Sequence, residues 1–189
     1  MTQVQGDYIV SKQEMVAGFN FSTDKNFKFF FSYGAVDRTA SGTYSISGDT
    51  LKLKSDKEPG KDFTVTYQSK TGKGYVLQFE DANKYLLADI RCIYFTGAEV
   101  HDAITDNKGH VKIDIDHCDK IYVQHQLFPD IYTLIKDEQN NNNSFRLTLN
   151  PSLAQVSFTG IDFIVDDDKS ISCLPNYFMM LENIEFKKQ

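Results

Sequence analysis

Strict alternation of apolar and polar residues is the feature of this chain that most constrains its fold. Phe27, Phe29 and Phe31 are each separated by a single residue, and Leu51 and Leu53 alternate with lysines. Successive side chains of a strand point to opposite faces, so a period of two predicts strands with one buried face. No window of helical length shows a clear period of 3.6 residues. The pattern therefore predicts an all-β fold with little helix.

Short polar turns separate these alternating runs. The segment Thr23–Asn26 lies between two aromatic runs, and Gly48–Asp49 lies between residues 43–47 and 50–54. Both arrangements are typical of β-hairpins. Turn residues recur every 8–12 residues along most of the chain, which is typical of a β-sandwich or a β-barrel.

The length of 189 residues permits one large domain or two small ones. The style of the strands changes near Ala88–Arg91, although no Pro-, Gly- or Ser-rich linker marks this position. We predict two small antiparallel β domains in tandem. The first, a barrel or meander, covers residues 1–90, and the second, a sandwich, covers residues 91–189.

The second half resembles the carboxypeptidase-regulatory-like, or transthyretin-like, β-sandwich family. The resemblance is carried by GAEV at residues 97–100, by AITDNKGHVKI at residues 103–113, and by LTLNP at residues 147–151. In the central motif Asp and Asn cap a turn and Gly takes a positive φ. One hydrolase branch of this fold depends on a C-terminal Tyr-Arg-Gly-Ser. This chain has Phe186–Lys187–Lys188–Gln189 there, so the resemblance implies no such activity.

The first half resembles the small lipocalin-like domains of bacterial envelope proteins. The resemblance is carried by Gly6–Asp7–Tyr8 and by the segments at residues 19–29 and 42–53, and Tyr8 stands where lipocalins have Trp. Together the two resemblances imply a protein of the bacterial cell envelope.

The charge of the chain argues against nucleic acid as a partner. The formal net charge is −6, and the lysines and arginines do not cluster, whereas a phosphate backbone requires clustered basic residues. No apolar run reaches the ~18 residues of a transmembrane helix. If Met1 is native we expect a cytoplasmic protein. If a signal peptide was removed we expect a periplasmic or cell-surface protein, which is the reading we favour.

The spacing of the cysteines is not that of a disulfide framework. Cys92, Cys118 and Cys173 are odd in number and widely spaced, and the chain has no Cys-x-x-Cys pair. We interpret them as buried or half-buried thiols. One disulfide with a spare cysteine is the alternative.

The sequence has no catalytic signature. It lacks Gly-x-Ser-x-Gly, His-Glu-x-x-His, a P-loop and a dinucleotide-binding fingerprint. We therefore predict a protein that is not an enzyme and that has no cofactor.

The densest polar cluster contains Asp114, Asp116, His117, Asp119 and His125. Asp114 and Asp116 would share one face of a strand, as metal ligands could. The spacing lacks the Gly and the terminal Glu of a calcium loop. We interpret the cluster as a solvated strand face that runs into a turn, and we predict neither a metal site nor catalytic residues.

Three consecutive phenylalanines identify the candidate binding residues. Phe29, Phe30 and Phe31 cannot all face one core, so at least one must point outward. Packing within the core and between domains is one explanation, and a ligand cavity or a partner surface is the other. The candidate set is Phe29, Phe30, Phe31, Tyr33, Arg38 and Tyr44.

These observations favour a non-enzymatic binding or scaffold module of a bacterial envelope. It would act on another envelope protein or through an apolar pocket. The alternatives are a carrier that holds a small apolar ligand inside the N-terminal barrel, and an unrecognised hydrolase built on His117, His125 and nearby acids.

Overall fold

A computed structural model describes residues 4–167, 169–176 and 184–189 of the chain. In these ranges the secondary structure is sixteen β-strands and two short 3₁₀ helices, Lys84–Leu86 and Pro151–Ala154. The prediction of an all-β protein with little helix is confirmed. The strands are β1 (Gly6–Lys12), β2 (Met15–Phe21), β3 (Asn26–Tyr33), β4 (Val36–Ser47), β5 (Thr50–Ser55), β6 (Phe63–Ser69), β7 (Tyr75–Glu80), β8 (Ile90–Thr96), β9 (Glu99–Ile104), β10 (His110–Ile113), β11 (Lys120–His125), β12 (Thr133–Lys136), β13 (Ser144–Leu149), β14 (Asp162–Val165), β15 (Ser170–Cys173) and β16 (Ile184–Lys188).

The first unit is a closed eight-stranded barrel. Its strands follow the order β1-β16-β15-β14-β5-β4-β3-β2, and β2 pairs with β1 to complete the ring. All neighbours in the ring are antiparallel. Closure leaves the barrel no free sheet edge.

The predicted hairpins form the N-terminal part of this barrel. Phe21 pairs with Phe27 across the first turn. There the side chain of Asn26 donates to Oδ2 of Asp24 (2.7 Å), and Lys25 has a φ of 66°. The second hairpin turns at Gly48, whose φ of 65° is a conformation that glycine adopts without strain. Both hairpin predictions are confirmed.

A glycine permits the close approach of β4 and β5. A Cβ atom at Gly42 would lie 2.0 Å from the carbonyl oxygen of Lys54. Backbone cannot yield as a side chain can, so residue 42 must lack a side chain for these two strands to pair as they do.

The second unit contains two four-stranded sheets around one apolar core. The first sheet has the order β10-β7-β13-β6 and the second has the order β12-β11-β8-β9. Phe79 and Leu147 of the first sheet share a buried cluster with Cys92 and Ile121 of the second. Two sheets with one shared core make a two-layered β unit.

The units occupy different residue ranges from those predicted. The barrel contains Met1–Glu58 and Ala154–Gln189, and the second unit is Pro59–Leu153. The second unit is therefore inserted in the sequence between β5 and β14, and the predicted boundary near Ala88–Arg91 lies within it. The barrel needs β14 to β16 to close, while β6 and β7 pair with β13 and β10. Strands of both units alternate alike, so their pattern does not indicate which unit each one joins.

One strand pair also differs from the antiparallel expectation. β7 and β13 run parallel, with Leu77 opposite Phe145 and Phe79 opposite Leu147.

In the described part of the chain, no helix is long and apolar enough to cross a membrane.

Candidate binding surface

The six predicted site residues do not form one surface. Phe29 and Phe31 point into the barrel, whereas Phe30, between them on β3, is 42% exposed. Tyr33, at the end of β3, is 52% exposed. Arg38 and Tyr44 are buried. Strand alternation places Phe30 on the outer side, whereas Tyr33 has the parity of Phe29 and Phe31 and is exposed at the last residue of β3.

Aromatic rings occupy the interior of the barrel. The Phe19 ring centroid lies 4.6 Å from that of Phe29, and 5.1 Å from those of Phe163 and Phe186. The hydroxyl of Tyr44 lies 2.9 Å from the carbonyl oxygens of Val4 and Ser22, and burial raises the pKa of this phenol. An eight-stranded barrel is just wide enough for side chains to fill it, and this one is packed with phenylalanines.

Arg38 has a structural role at the wall of the barrel. It is 2% exposed, and its Nη2 donates to the carbonyl oxygen of Gln155 at 2.9 Å. Beside it, the N–H of Val156 donates to the carbonyl oxygen of Thr39 at 2.9 Å. These bonds hold the returning C-terminal segment along β4.

The barrel unit has a groove on its outer side. The groove is lined by Asp162, Ile164, Ser172 and Leu174, among other residues. Ile164 is exposed, whereas Phe163, its neighbour on β14, points into the core. The groove therefore lies outside the barrel wall.

An exposed apolar face covers the outer side of the second sheet of the second unit. Val100 is 60% exposed, Ile104 is 49% exposed and Leu134 is 47% exposed, and Ile93, Phe95 and Tyr122 are half-buried. Paired residues of neighbouring strands lie on the same face. The apolar face is defined as Ile93, Phe95, Val100, Ile104, Tyr122 and Leu134.

The strand register brings these residues together. Ile93 pairs with Tyr122, Tyr122 pairs with Leu134, and Phe95 pairs with Val100. Residues in the alternate positions, such as Cys92 and Ile121, are fully buried in the core. The apolar face thus extends across all four strands of the sheet.

Charged pairs adjoin the apolar residues. Arg91 Nε lies 3.1 Å from Oδ2 of Asp102, and Lys120 Nζ lies 3.1 Å from Oε1 of Glu138. Each pair contains one cation and one anion, so the pairs add no net charge to the surface. The register places Asp102 opposite Ile93, between Val100 and Ile104 on the same side of β9, so the first of these pairs lies among the apolar residues.

One sequence feature indicates this surface. Ile93, Tyr94 and Phe95 are consecutive apolar residues within one strand. In an antiparallel strand such a run must place apolar side chains on both faces. The same reasoning, applied to Phe29–Phe31, predicted that at least one of the three points outward, and Phe30 is the one that does.

The acidic and histidine cluster is dispersed. Nε2 of His117 lies 2.8 Å from Oδ1 of Asp119, and Oδ2 of Asp119 accepts the N–H of Gly97 at 2.7 Å. Both hydrogen bonds lower the pKa of Asp119, and the one from the Gly97 N–H has the larger effect. His117 precedes β11 and His125 ends it, and a six-residue strand spans roughly 17 Å. The two histidines therefore do not share a site.

His125 is held as a neutral, buried side chain. It is 1% exposed, and its Nδ1 accepts the N–H of Leu127 at 3.2 Å, so Nε2 is the atom that donates to the carbonyl oxygen of Leu86 at 3.1 Å. Burial lowers its pKa below the ordinary value of 6.5. This histidine stabilises the fold locally.

Neither a metal site nor a disulfide is formed in the described part of the chain. No group of three or more His, Cys, Asp or Glu residues there could hold a metal ion. Cys92 and Cys118 are free and buried, and Cys173 is free and half-buried, as the interpretation from sequence expected.

Comparison with known proteins gives no relative: no family model, no curated protein and no solved structure matches the chain.

Proposed function

We propose that this protein is a non-enzymatic binding module that holds a protein partner on the apolar face. The observation that carries the proposal is the set of six apolar residues on the solvent side of one sheet, of which Val100, Ile104 and Leu134 are each about half exposed or more. Burying a Leu, Ile or Val side chain contributes about 1.5–3 kcal/mol. An exposed apolar surface of this kind is typical of interaction sites.

The shape of the surface favours a protein partner over a small ligand. Small molecules bind in concave pockets that enclose most of their surface. The apolar face is the outer side of a pleated sheet, which suits an extended partner surface. Phe95 and Tyr122 supply the aromatic residues that are enriched in the centre of interfaces.

The two alternative functions receive less support. A carrier that used the barrel interior would need a cavity where the rings of Phe19, Phe29 and Phe163 contact one another. A hydrolase built on His117 and His125 would need them to converge, and they lie at opposite ends of β11.

We also propose that the partner is another protein of a bacterial cell envelope. The basis is the two sequence resemblances, to lipocalin-like and to transthyretin-like domains. Fractionation of cells that express the native gene tests this location. Recovery of the protein only in the cytosolic fraction would contradict it.

The binding test uses the full chain as bait for crosslinking in envelope fractions. We expect Val100→Glu to abolish capture of the partner, because a carboxylate would be buried without a counterion. Val76→Glu is the matched control, since Val76 is 40% exposed on β7 of the other sheet, and it should retain capture.

Equal capture by both variants would overturn the proposal. Capture of a second copy of this chain, confirmed by a dimer in sedimentation, would replace the envelope partner with self-association. A photo-crosslinking amino acid at Tyr122 identifies the surface in contact, and a crosslink mapped to the partner is the expected result.

A further inference from the structure

A small polar cleft lies in the second unit, apart from the apolar face. Its volume is about 190 Å³, and its lining includes Lys70, Lys73, Tyr75, Asp116, His117 and Lys136. This volume corresponds to roughly six waters. It is below the ~300 Å³ at which pockets for drug-sized molecules begin, so the cleft suits one small group.

A buried ammonium group lies at this cleft. Lys136 is 3% exposed. Its Nζ donates to the carbonyl oxygens of Asp137 at 3.0 Å and Asp119 at 3.3 Å, and it lies 6.0 Å from the ring centroid of Tyr75. These partners orient the charge, and none of them neutralises it.

The nearby carboxylates are engaged elsewhere. The carboxylate of Asp119 binds His117 and the N–H of Gly97. Oδ1 of Asp137 accepts the N–H groups of Gln139 and Asn140, each at 3.0 Å. Within the described ranges, Lys136 has no carboxylate at ion-pair distance. The charges of Lys136 and Asp119 interact through space, but a buried ammonium that lacks a direct ion-pair partner is still unfavourable.

The side chains that line the cleft include more cations than anions. Lys70 and Lys73 are exposed and, among the described residues, form no ion pair. Among the Lys, Arg, Asp and Glu side chains that line the cleft, three are lysines and one is Asp116, in a chain whose net charge is −6. The sign of the local charge is thus opposite to that of the whole molecule.

We propose that this cleft binds a small oxyanion, either a phosphate or a carboxylate group. The ammonium of Lys136 provides the central charge, and Lys70 and Lys73 bind the anion from the mouth of the cleft. Lysine acts as a point charge and accepts either group. The site is independent of the apolar face and involves no reaction.

The first test titrates the labelled full chain with inorganic phosphate, and separately with acetate, at constant ionic strength. We expect saturable amide shifts at Gly72 and Asn143, which line the cleft. The double variant Lys70→Ala/Lys73→Ala should weaken binding about tenfold. The matched control is Lys108→Ala/Lys112→Ala, which removes two exposed lysines outside the cleft and should change the affinity less than about twofold.

The second test measures the rise in melting temperature that phosphate produces. Ligand that binds only the folded state raises this temperature, and Lys136→Met should abolish the rise. Tighter binding of phosphate than of acetate identifies a phosphoryl group as the ligand, and the reverse identifies a carboxylate.

Three results would overturn the proposal. They are amide shifts that do not saturate with anion concentration, an equal loss of anion affinity in the two double variants, or a phosphate-induced rise in melting temperature that is unchanged in Lys136→Met. If Lys136→Met does not fold, the comparison of the two double variants decides alone.

Discussion

The rings of Phe95 and Tyr122 pack edge to face on the solvent side of β8 and β11, with centroids 5.9 Å apart and planes at 71°. Both side chains are half-buried, while Cys92 and Ile121 on the opposite side of the same strands are fully buried. The sheet therefore has an apolar core side and a second apolar side that the chain leaves partly open to solvent.

Phe95→Ala should affect partner binding far more than stability. Loss of the aromatic pair should lower the free energy of unfolding by about 0.5–1.5 kcal/mol. Phe145→Ala, which opens a cavity in the core of the same unit, should lower the free energy of unfolding by about 3–5 kcal/mol. Urea denaturation and partner capture measure the two effects. A loss of stability in Phe95→Ala as large as that in Phe145→Ala would show that Phe95 belongs to the core.

Gly42→Ala should destabilise the barrel by about 2 kcal/mol or more. The new Cβ would lie 2.0 Å from the carbonyl oxygen of Lys54, and the strands must separate to relieve the overlap. The control is Thr43→Ala on the exposed side of β4, which should change stability by less than about 1 kcal/mol. Thermal unfolding measures both. A Gly42→Ala protein as stable as the unchanged chain would contradict the close approach of β4 and β5.

The free energy of unfolding should fall as the pH decreases below 6.5. Burial depresses the pKa of His125 in the folded state, whereas in the unfolded chain the imidazole takes up a proton near 6.5. The unfolded state then binds more protons, so the stability present above this pH is lost as the pH falls toward the folded pKa.

His125→Gln should remove this part of the pH dependence, although it lowers stability at neutral pH. The carboxyls of Asp106 and Asp119, whose pKa values are lowered by backbone N–H groups, provide an internal control. Their contribution is lost only as the pH falls below about 3.8, and it should remain in the variant. Denaturant unfolding from pH 7 to pH 3 separates the two windows. If the free energy of unfolding of the variant has the same slope against pH between pH 7 and pH 5 as that of the unchanged chain, His125 is not the cause of this pH dependence.

Cys92 and Cys118 should react slowly with thiol reagents in the folded protein. Burial raises the pKa of Cys92 to about 12 and that of Cys118 to about 11. Because the thiolate is the reactive form, we expect alkylation about a hundredfold slower than in denaturant. Mass spectrometry of labelled peptides measures each cysteine separately. Equal rates in folded and unfolded protein would show that these thiols are not buried.

Several local features were predictable from the sequence because they depend on neighbouring residues alone. Gly48 adopts a positive φ in a two-residue hairpin turn whatever the strands later contact. The alternation of β3 places Phe29 inside and Phe30 outside. The consecutive run Ile93–Tyr94–Phe95 also carries its own information, since one strand cannot bury three successive side chains on one face.

The burial of Lys136, in contrast, does not follow from its neighbours in the sequence. Nothing local distinguishes this lysine from exposed lysines such as Lys112. Its burial and its bond to the carbonyl oxygen of Asp119 arise from the pairing of β12 with β11. The cleft also requires Lys70, which is far from Lys136 in the sequence.

The sequence by itself determined that this protein is built of β-strands, where the hairpins turn, and which side chains of a strand share a face, because these depend on a period of two and on turn residues. Only the tertiary structure decided that β14 to β16 close the barrel and that residues 59–153 form the inserted unit. Only the tertiary structure, likewise, assembled the apolar face from four strands. The physical reason is that any alternating strand can pair with any other, and the partner is chosen by packing between segments that are distant in the chain.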